Sequence, residues 1–159
     1  IEAVALMPDV GMVVVGYGYH RPVLEQLVKD RGLGGRIKFF GPIPNRELLE
    51  YTASADIGLA NIVSSSLSYH TCLPNKLFEY MMAGIPVIGS RGLHIARVVQ
   101  ETGVGEVAEA TDPNQIVEAT RKILSNPSSY RSATTQAINR YHWAVEAKEL
   151  ARVYAALSN

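Results

Sequence analysis

Short apolar runs alternate along the chain with segments in which apolar residues recur every three or four positions. The runs predict buried strands, at 10–15, 37–40, 56–60, 85–89 and 105–107. The periodic segments predict helices, at 21–30, 45–53, 74–83, 95–101, 112–124 and, after Pro127 and an interruption near Tyr141, through to 157. Asn45 and Asp112 are expected to cap the second and fifth of these helices. This repeated strand–helix–strand order predicts an α/β fold, with a parallel sheet that carries helices on both faces.

Ligands of such a sheet bind at the carboxyl ends of its strands. In this chain those ends are Gly16, Gly41, Asn61 and Ser90, so the topology predicts that four loops converge on one crevice. The segment at 62–71 is polar and contains a run of serines. We expect a loop there, and it is either a mobile lid or an ordinary solvated loop.

The stretch LPNKLFEYMMAGIPVIGS, at 73–90, concentrates the candidate chemistry. Pro74 fits the first turn of a helix and Asn75 can cap it, so we expect free N–H groups near Asn75, Lys76 and Leu77. Lys76 adds a full positive charge at the positive end of the helix dipole. The start of this helix therefore predicts a phosphate or diphosphate site, and the alternative is that Lys76 is an ordinary solvated lysine.

Two further features admit more than one interpretation. Glu79 lies one turn into the same helix, where its carboxylate either accepts hydrogen bonds from the vicinal hydroxyls of a ribose or faces solvent. Gly16-Tyr17-Gly18 begins a GxGxxG pattern, but Arg21 takes the place of the third glycine. These glycines therefore serve either a strand-to-helix turn alone or a contact with a nucleotide base.

Composition excludes several classes of protein. The 159 residues predict one domain with a sizeable core. With 15 basic and 15 acidic residues, the chain has no charge excess of the kind that binds nucleic acid. The lone Cys72 cannot form an internal disulfide, and as a nucleophile it would need a paired base such as His70. No apolar run approaches the ~20 residues that span a bilayer.

The 73–90 stretch closely resembles the donor-binding motif of glycosyltransferase family 4 (group 1), in which a helix carrying a Glu ends at Gly before Pro-Val-Ile. The resemblance covers nearly the whole chain, through VVVGYG at 13–18, RIKFFGPIP at 36–44, SADIGLANI at 54–62, LHIARVVQETGVGEV at 93–107 and YHWAVEAKELARVYAAL at 141–157. It implies a Rossmann-like parallel sheet with helices on both faces, one half of a GT-B fold.

The resemblance also implies a donor-binding set: Glu79, Lys76, Asn75, Leu77, Thr71, Gly16, Tyr17, Gly41, Pro42, Ile43 and Ser90. Glu79 would orient the nucleoside, Lys76 would stabilise the departing diphosphate, and the turn at 41–43 would contact the base through its backbone. Thr71 stands where the family has another Glu, and Arg97 where it often has one. The family role of binding the hydroxyls of the transferred sugar is therefore not assigned to Thr71, and no catalytic residue is assigned.

Residues 1–159 are interpreted as a single domain, the C-terminal nucleotide-sugar-binding domain of a larger two-domain enzyme, truncated at its N-terminus. The evidence is IEAVALM at 1–7, which predicts the last two turns of a helix. By resemblance, the enzyme transfers a sugar from a nucleotide diphosphate sugar to an acceptor, with retention, in bacterial surface polysaccharide or glycoconjugate synthesis. Its partners are the nucleotide sugar and an N-terminal acceptor domain, and we expect the chain alone to be inactive.

Two alternatives stay open. An isomerase resembling the UDP-sugar 2-epimerases shares the fold but needs an added carboxylate and histidine in the cleft, and the missing Glu at Thr71 leaves room for a non-catalytic nucleotide-binding domain. We expect no cofactor beyond the substrate and no metal, because the chain has no Asp-x-Asp pair. A cytoplasmic location is expected, with peripheral association of the full enzyme with the inner face of the cell membrane left open.

Overall fold

The computed structural model describes residues 1–157, in which each strand is followed by at least one helix. The strands are β1 (Met12–Val15), β2 (Ile37–Phe40), β3 (Gly58–Ala60), β4 (Val87–Ser90) and β5 (Gly105–Ala108). The helices are α1 (Glu2–Ala5), α2 (Arg21–Asp30), α3 (Asn45–Ala53), α4 (Leu67–Thr71), α5 (Asn75–Met82), α6 (Leu93–Thr102), α7 (Pro113–Ser125), α8 (Pro127–Ala137) and α9 (Trp143–Leu157).

The strands pair in parallel, as predicted, but they form two pieces of sheet. β1 pairs with β2, and β4 pairs with β3 on one side and β5 on the other. Within residues 1–157 no strand joins β1 to β3. The predicted parallel pairing is therefore confirmed, and the two pieces of sheet are connected to each other by helices and side chains.

Two arginines connect the pieces. Arg36, just before β2, donates from Nη1 to the carbonyls of Val4, Met7 and Val10 at 2.6–3.0 Å, which fixes the end of α1. Arg121 on α7 forms a two-pronged ion pair with Asp9, at 2.6 and 2.5 Å. Since α1 also packs against α7, which lies on β4 and β5, these contacts fix the first piece of sheet to the second.

The strand β4 shows that helices cover both faces of the three-stranded piece. Val87 belongs to a buried cluster with residues of α5, α6 and α8, whereas the next residue, Ile88, packs with Ala119 and Ile123 of α7. Successive side chains of a strand point to opposite faces, so β4 is buried from both sides, as the apolar run at 85–89 predicts.

Helix α5 lies directly on β3 and β4. Leu77 and Met81, four residues apart and so on one face, are buried to 1% exposure or less. The ring of Tyr80 crosses β3 at Gly58, where a Cβ atom would lie 2.2–2.6 Å from three ring carbons. A residue without a side chain is therefore required at this point of β3.

The local predictions were accurate for most elements. α2 and β2 have the predicted bounds, Gly84 follows α5 with φ 72°, and the carboxylate of Asp112 caps α7 by accepting from two amides. The strands predicted at 10–15, 56–60 and 85–89 begin two residues later than expected. Buried apolar residues thus extend beyond the hydrogen-bonded ladder, and the pattern alone overestimates strand length.

Two local expectations were wrong. The segment predicted as a polar loop contains α4, because the Ser66 hydroxyl accepts from the Tyr69 amide at 3.3 Å and caps a short helix. Asn45 was expected to cap α3, but it is the first helical residue, and the capping position is held by Pro44 without a side-chain hydrogen bond.

The contact at Gly58 generates a stability prediction. Gly58→Ala places a methyl group inside the Tyr80 ring, so we expect overpacking to cost about 1–3 kcal/mol, equivalent to a fall in Tm of about 2–12 °C for a chain of this length. Differential scanning calorimetry measures this. Gly35→Ala is the matched control, because a Cβ there meets nothing within 4 Å, and equal Tm values for the two variants would contradict the packing.

The Asp9–Arg121 pair generates a pH prediction. Hydrogen bonds from the Arg121 side chain lower the pKa of Asp9 from 3.8 to about 2. A carboxyl with a depressed folded-state pKa stabilises the fold above its unfolded pKa, and this contribution is lost as the pH falls from about 4 to about 2. Chemical denaturation at each pH should show a smaller acid-induced loss of stability in Asp9→Asn. An identical pH profile in the variant would refute the coupling.

Candidate functional site

The structure places the predicted strand-end residues in two neighbouring pairs. At the first piece of sheet, Gly16 donates its amide to the Phe40 carbonyl at 3.3 Å, which brings Gly16 beside the turn that begins at Gly41. At the second piece, the register of Ala60 with Gly89 places Asn61 beside Ser90. The two pairs lie on separate pieces of sheet, and their convergence on one crevice stays a prediction.

The start of α5 presents fewer free amides than the sequence predicted. Pro74 precedes the helix with extended backbone, and Asn75 is exposed and makes no capping hydrogen bond. The Leu77 amide already donates to the Pro74 carbonyl at 3.0 Å, and the Leu77 side chain is fully buried. The expectation that Leu77 offers a free N–H was therefore wrong, whereas the amides of Asn75 and Lys76 have no acceptor within the helix.

Lys76 and Glu79 are the charged residues of this helix, and both are half-buried. They lie three positions apart, close enough to form an ion pair, yet neither side chain forms a hydrogen bond or salt bridge with any residue in 1–157. Burial lowers the pKa of the Lys76 ammonium from its ordinary value, with a smaller opposing effect from Cys72. A half-buried cation beside two free helix-start amides can bind an anion.

Buried polar atoms without partners lie at the ends of the neighbouring strands. The Ser90 hydroxyl is buried, with the residue 1% exposed, and makes no hydrogen bond. The Oδ1 atom of Asn61 is likewise buried and unsatisfied, although its Nδ2 donates to the Ala110 carbonyl at 3.1 Å. Native structures seldom leave such atoms unsatisfied, so they mark a place where water or a ligand group completes the hydrogen bonding.

The ends of β1 and β2 form the other part of the predicted set. Gly16 has φ 127°, which favours glycine, and the following Tyr17 is 91% exposed. Gly41 and Pro42 are exposed and Ile43 is half-buried. These surfaces are open to a planar ligand such as a base.

Sequence reasoning missed the role of Arg21 at this end of the sheet. It was noted only as the residue that breaks a glycine pattern. In the structure its guanidinium donates to the carbonyls of Phe39 and Phe40, which directly precede the turn at Gly41. An arginine at the start of a helix gives no sign in sequence of which distant carbonyls it will reach.

The side chains of the remaining candidate site residues form local hydrogen bonds or are exposed on another helix. The Thr71 hydroxyl donates to the Leu67 carbonyl of its own helix at 2.9 Å, and Arg97 is exposed on α6. The Cys72 thiol donates to the Tyr69 carbonyl at 3.2 Å rather than meeting His70, which gives no support to a nucleophilic role. Within residues 1–157 there is no cluster of metal-ligating side chains, and no helix has the length and apolarity needed to cross a membrane.

Comparison with known proteins identifies a family and relatives that are all glycosyltransferases. Residues 1–140 match the family model described as glycosyl transferases group 1. The phosphatidyl-myo-inositol mannosyltransferase of Mycobacterium leprae is 30% identical over 154 residues, a match covering 94% of this chain and 39% of that protein. The chain therefore spans about two fifths of the length of this relative.

Solved structures show the same architecture. Sucrose-phosphate synthase from Thermosynechococcus elongatus superposes with a TM-score of 0.82 and 25% identity, over 98% of this chain and 40% of that one. Anabaena HepE in complex with UDP superposes with a TM-score of 0.81 and 17% identity, over 98% and 43% of the two chains. The second likeness, at this identity, shows the fold alone.

The unpaired Lys76 generates a prediction for the protein without ligand. Its ammonium is partly desolvated with no partner, so Lys76→Met removes an unfavourable charge and keeps the length of the side chain. We expect a Tm equal to or higher than that of the unmodified chain, measured by thermal denaturation. The control is Lys38→Met, which removes an ammonium that donates to the Gly34 carbonyl at 2.8 Å. A larger fall in Tm for Lys76→Met than for Lys38→Met would show that Lys76 is structural.

Proposed function

This chain belongs to the group 1 glycosyltransferases, and from that premise we propose that it is the donor-binding part of an enzyme that transfers a sugar from a nucleotide diphosphate sugar to an acceptor. The observation that carries the proposal is the start of α5, where Lys76 and Glu79 are half-buried and unpaired on one short helix. Charges held in this way reduce stability unless a ligand compensates them, which is typical of a binding site.

The two charges suit different groups of the same donor. The Lys76 ammonium and the free amides at Asn75 and Lys76 would bind the diphosphate, which becomes more negative as it departs from the sugar. Glu79, one turn further, would accept hydrogen bonds from the ribose hydroxyls. Glu79 thus orients the donor, and Lys76 stabilises the leaving group, so neither residue needs to transfer a proton.

The base would lie against the end of β2. The turn of Gly41, Pro42 and Ile43 follows the last strand residue, and Tyr17 stands exposed on the adjacent loop. Base recognition through backbone atoms at this turn is part of the proposal. UDP in the solved HepE complex makes a uridine nucleotide the first candidate to test.

The acceptor side of the reaction lies outside this chain. Because the chain spans about two fifths of the M. leprae relative, we propose that a second domain binds the acceptor and excludes water when it closes over the donor. That relative is named for an inositol phospholipid, which supports a role in cell-surface polysaccharide or glycoconjugate synthesis. Retention of configuration, a cytoplasmic location and peripheral membrane association belong to the same proposal.

A titration of the chain with UDP, GDP and ADP tests the donor site. We expect one nucleoside diphosphate to bind weakly, and we expect Lys76→Met and Glu79→Gln each to raise its Kd about tenfold, the loss of one charge-assisted interaction. Isothermal titration calorimetry measures the Kd values. Lys38→Met, a loss of positive charge elsewhere, should bind like the unmodified chain. Absence of binding by all three nucleotides, or an affinity in the Lys76 and Glu79 variants equal to that of the unmodified chain, would overturn the proposed site.

A further inference from the structure

The side chain of Arg21 makes an unusual set of contacts at the first residue of α2. Its Nη1 donates to the Phe40 carbonyl at 3.2 Å, and its Nη2 donates to the Phe39 carbonyl at 3.4 Å. Its Nε pairs with Glu25, one turn along the same helix, at 2.8 Å, and the guanidinium lies 5.9 Å from the centre of the Phe39 ring. The planar fork of an arginine can reach several acceptors at once, and here Glu25 fixes its orientation.

The two carbonyls that Arg21 binds end β2 and directly precede the turn at Gly41. The Phe40 carbonyl also accepts the Gly16 amide from the end of β1. Arg21 therefore binds at the point where the two strand ends meet. Through one side chain, the start of α2 and the ends of both strands are held together.

The turn itself has few other restraints. Pro42 has no amide hydrogen to donate, and within the described part of the chain no hydrogen bond begins or ends at Gly41, Pro42 or Ile43. The next backbone hydrogen bonds are those that the Pro44 carbonyl accepts from the first turn of α3. The position of the turn thus depends on the end of β2, which Arg21 and the Gly16 amide both hold, and on α3 at its other end.

We infer that Arg21 is a positioning residue for nucleotide-base recognition: it holds the end of β2 so that the turn at 41–43 presents its backbone to the base in a fixed arrangement. The inference rests on the proposed donor site and adds a residue that makes no contact with the donor. Lysine cannot replace arginine here, because a single ammonium on a flexible stem cannot hold two successive carbonyls in one plane.

The test distinguishes recognition of the base from binding of the phosphates. Arg21→Lys and Arg21→Gln are titrated with UDP, GDP and ADP and, separately, with inorganic pyrophosphate, which contains no base. We expect the Kd of the preferred nucleotide to rise about tenfold in both variants and the preference among the three bases to diminish. The Kd for pyrophosphate should stay within about twofold, because the start of α5 is unchanged. Arg46→Gln, which removes an exposed arginine paired with Glu47, is the matched control and should behave like the unmodified chain.

A second measurement distinguishes positioning from general stabilisation. Amide-resolved NMR relaxation should show larger motion at Gly41 and Ile43 in Arg21→Gln, with little change in α5. Unchanged nucleotide affinity in the Arg21 variants, or equal weakening of nucleotide and pyrophosphate binding, would overturn the inference while leaving the donor site intact. Failure of the unmodified chain to bind any nucleotide would overturn both the donor site and the role of Arg21.

Discussion

The burial of Leu77 and Met81 against β3 and β4 determines the arrangement of the candidate site. These side chains fix the rotation of α5 about its own axis, and the missing side chain at Gly58 lets the Tyr80 ring approach β3 closely. With that face of the helix against the core, Lys76 and Glu79 remain partly exposed near its start. The position of the two charges is thus a consequence of core packing, and it needs no interaction between the charges themselves.

The core stabilises the fold through packed apolar side chains, whereas the candidate site contains charged and polar groups that reduce stability. In the core every large apolar side chain on β4 has neighbours on its own face of the sheet, whereas Lys76 and Glu79 have no partner among residues 1–157. At the strand ends, Ser90 and one oxygen of Asn61 are buried without hydrogen bonds. Unsatisfied groups are concentrated where parallel strands end, which is where ligands of this kind of fold bind.

Much of this arrangement was predictable from the sequence. The apolar runs and helical periodicity indicated the strands and the bounds of α2 and β2, and the Asp112 side chain indicated the cap of α7, because each of these depends on neighbouring residues. The parallel pairing followed from the order of strands and helices. The break between β1 and β3, the helix at α4 and the contacts of Arg21 were not predictable. They depend on which distant groups meet in space, as when Arg21 reaches the carbonyls of Phe39 and Phe40. The free amide expected at Leu77 failed for a local reason, since the first turn of α5 already uses it.

The proposed function depends on binding of the donor diphosphate at the start of α5. An amide-resolved NMR titration of the chain with UDP, GDP and ADP tests this binding, because it reports where a ligand binds without assuming the site. We expect the largest shifts at the amides of Asn75 and Lys76, with a second group at Gly41 and Ile43. Shifts confined to another surface, such as the hollow lined by Gln100 and Tyr130 beside β5, would contradict it.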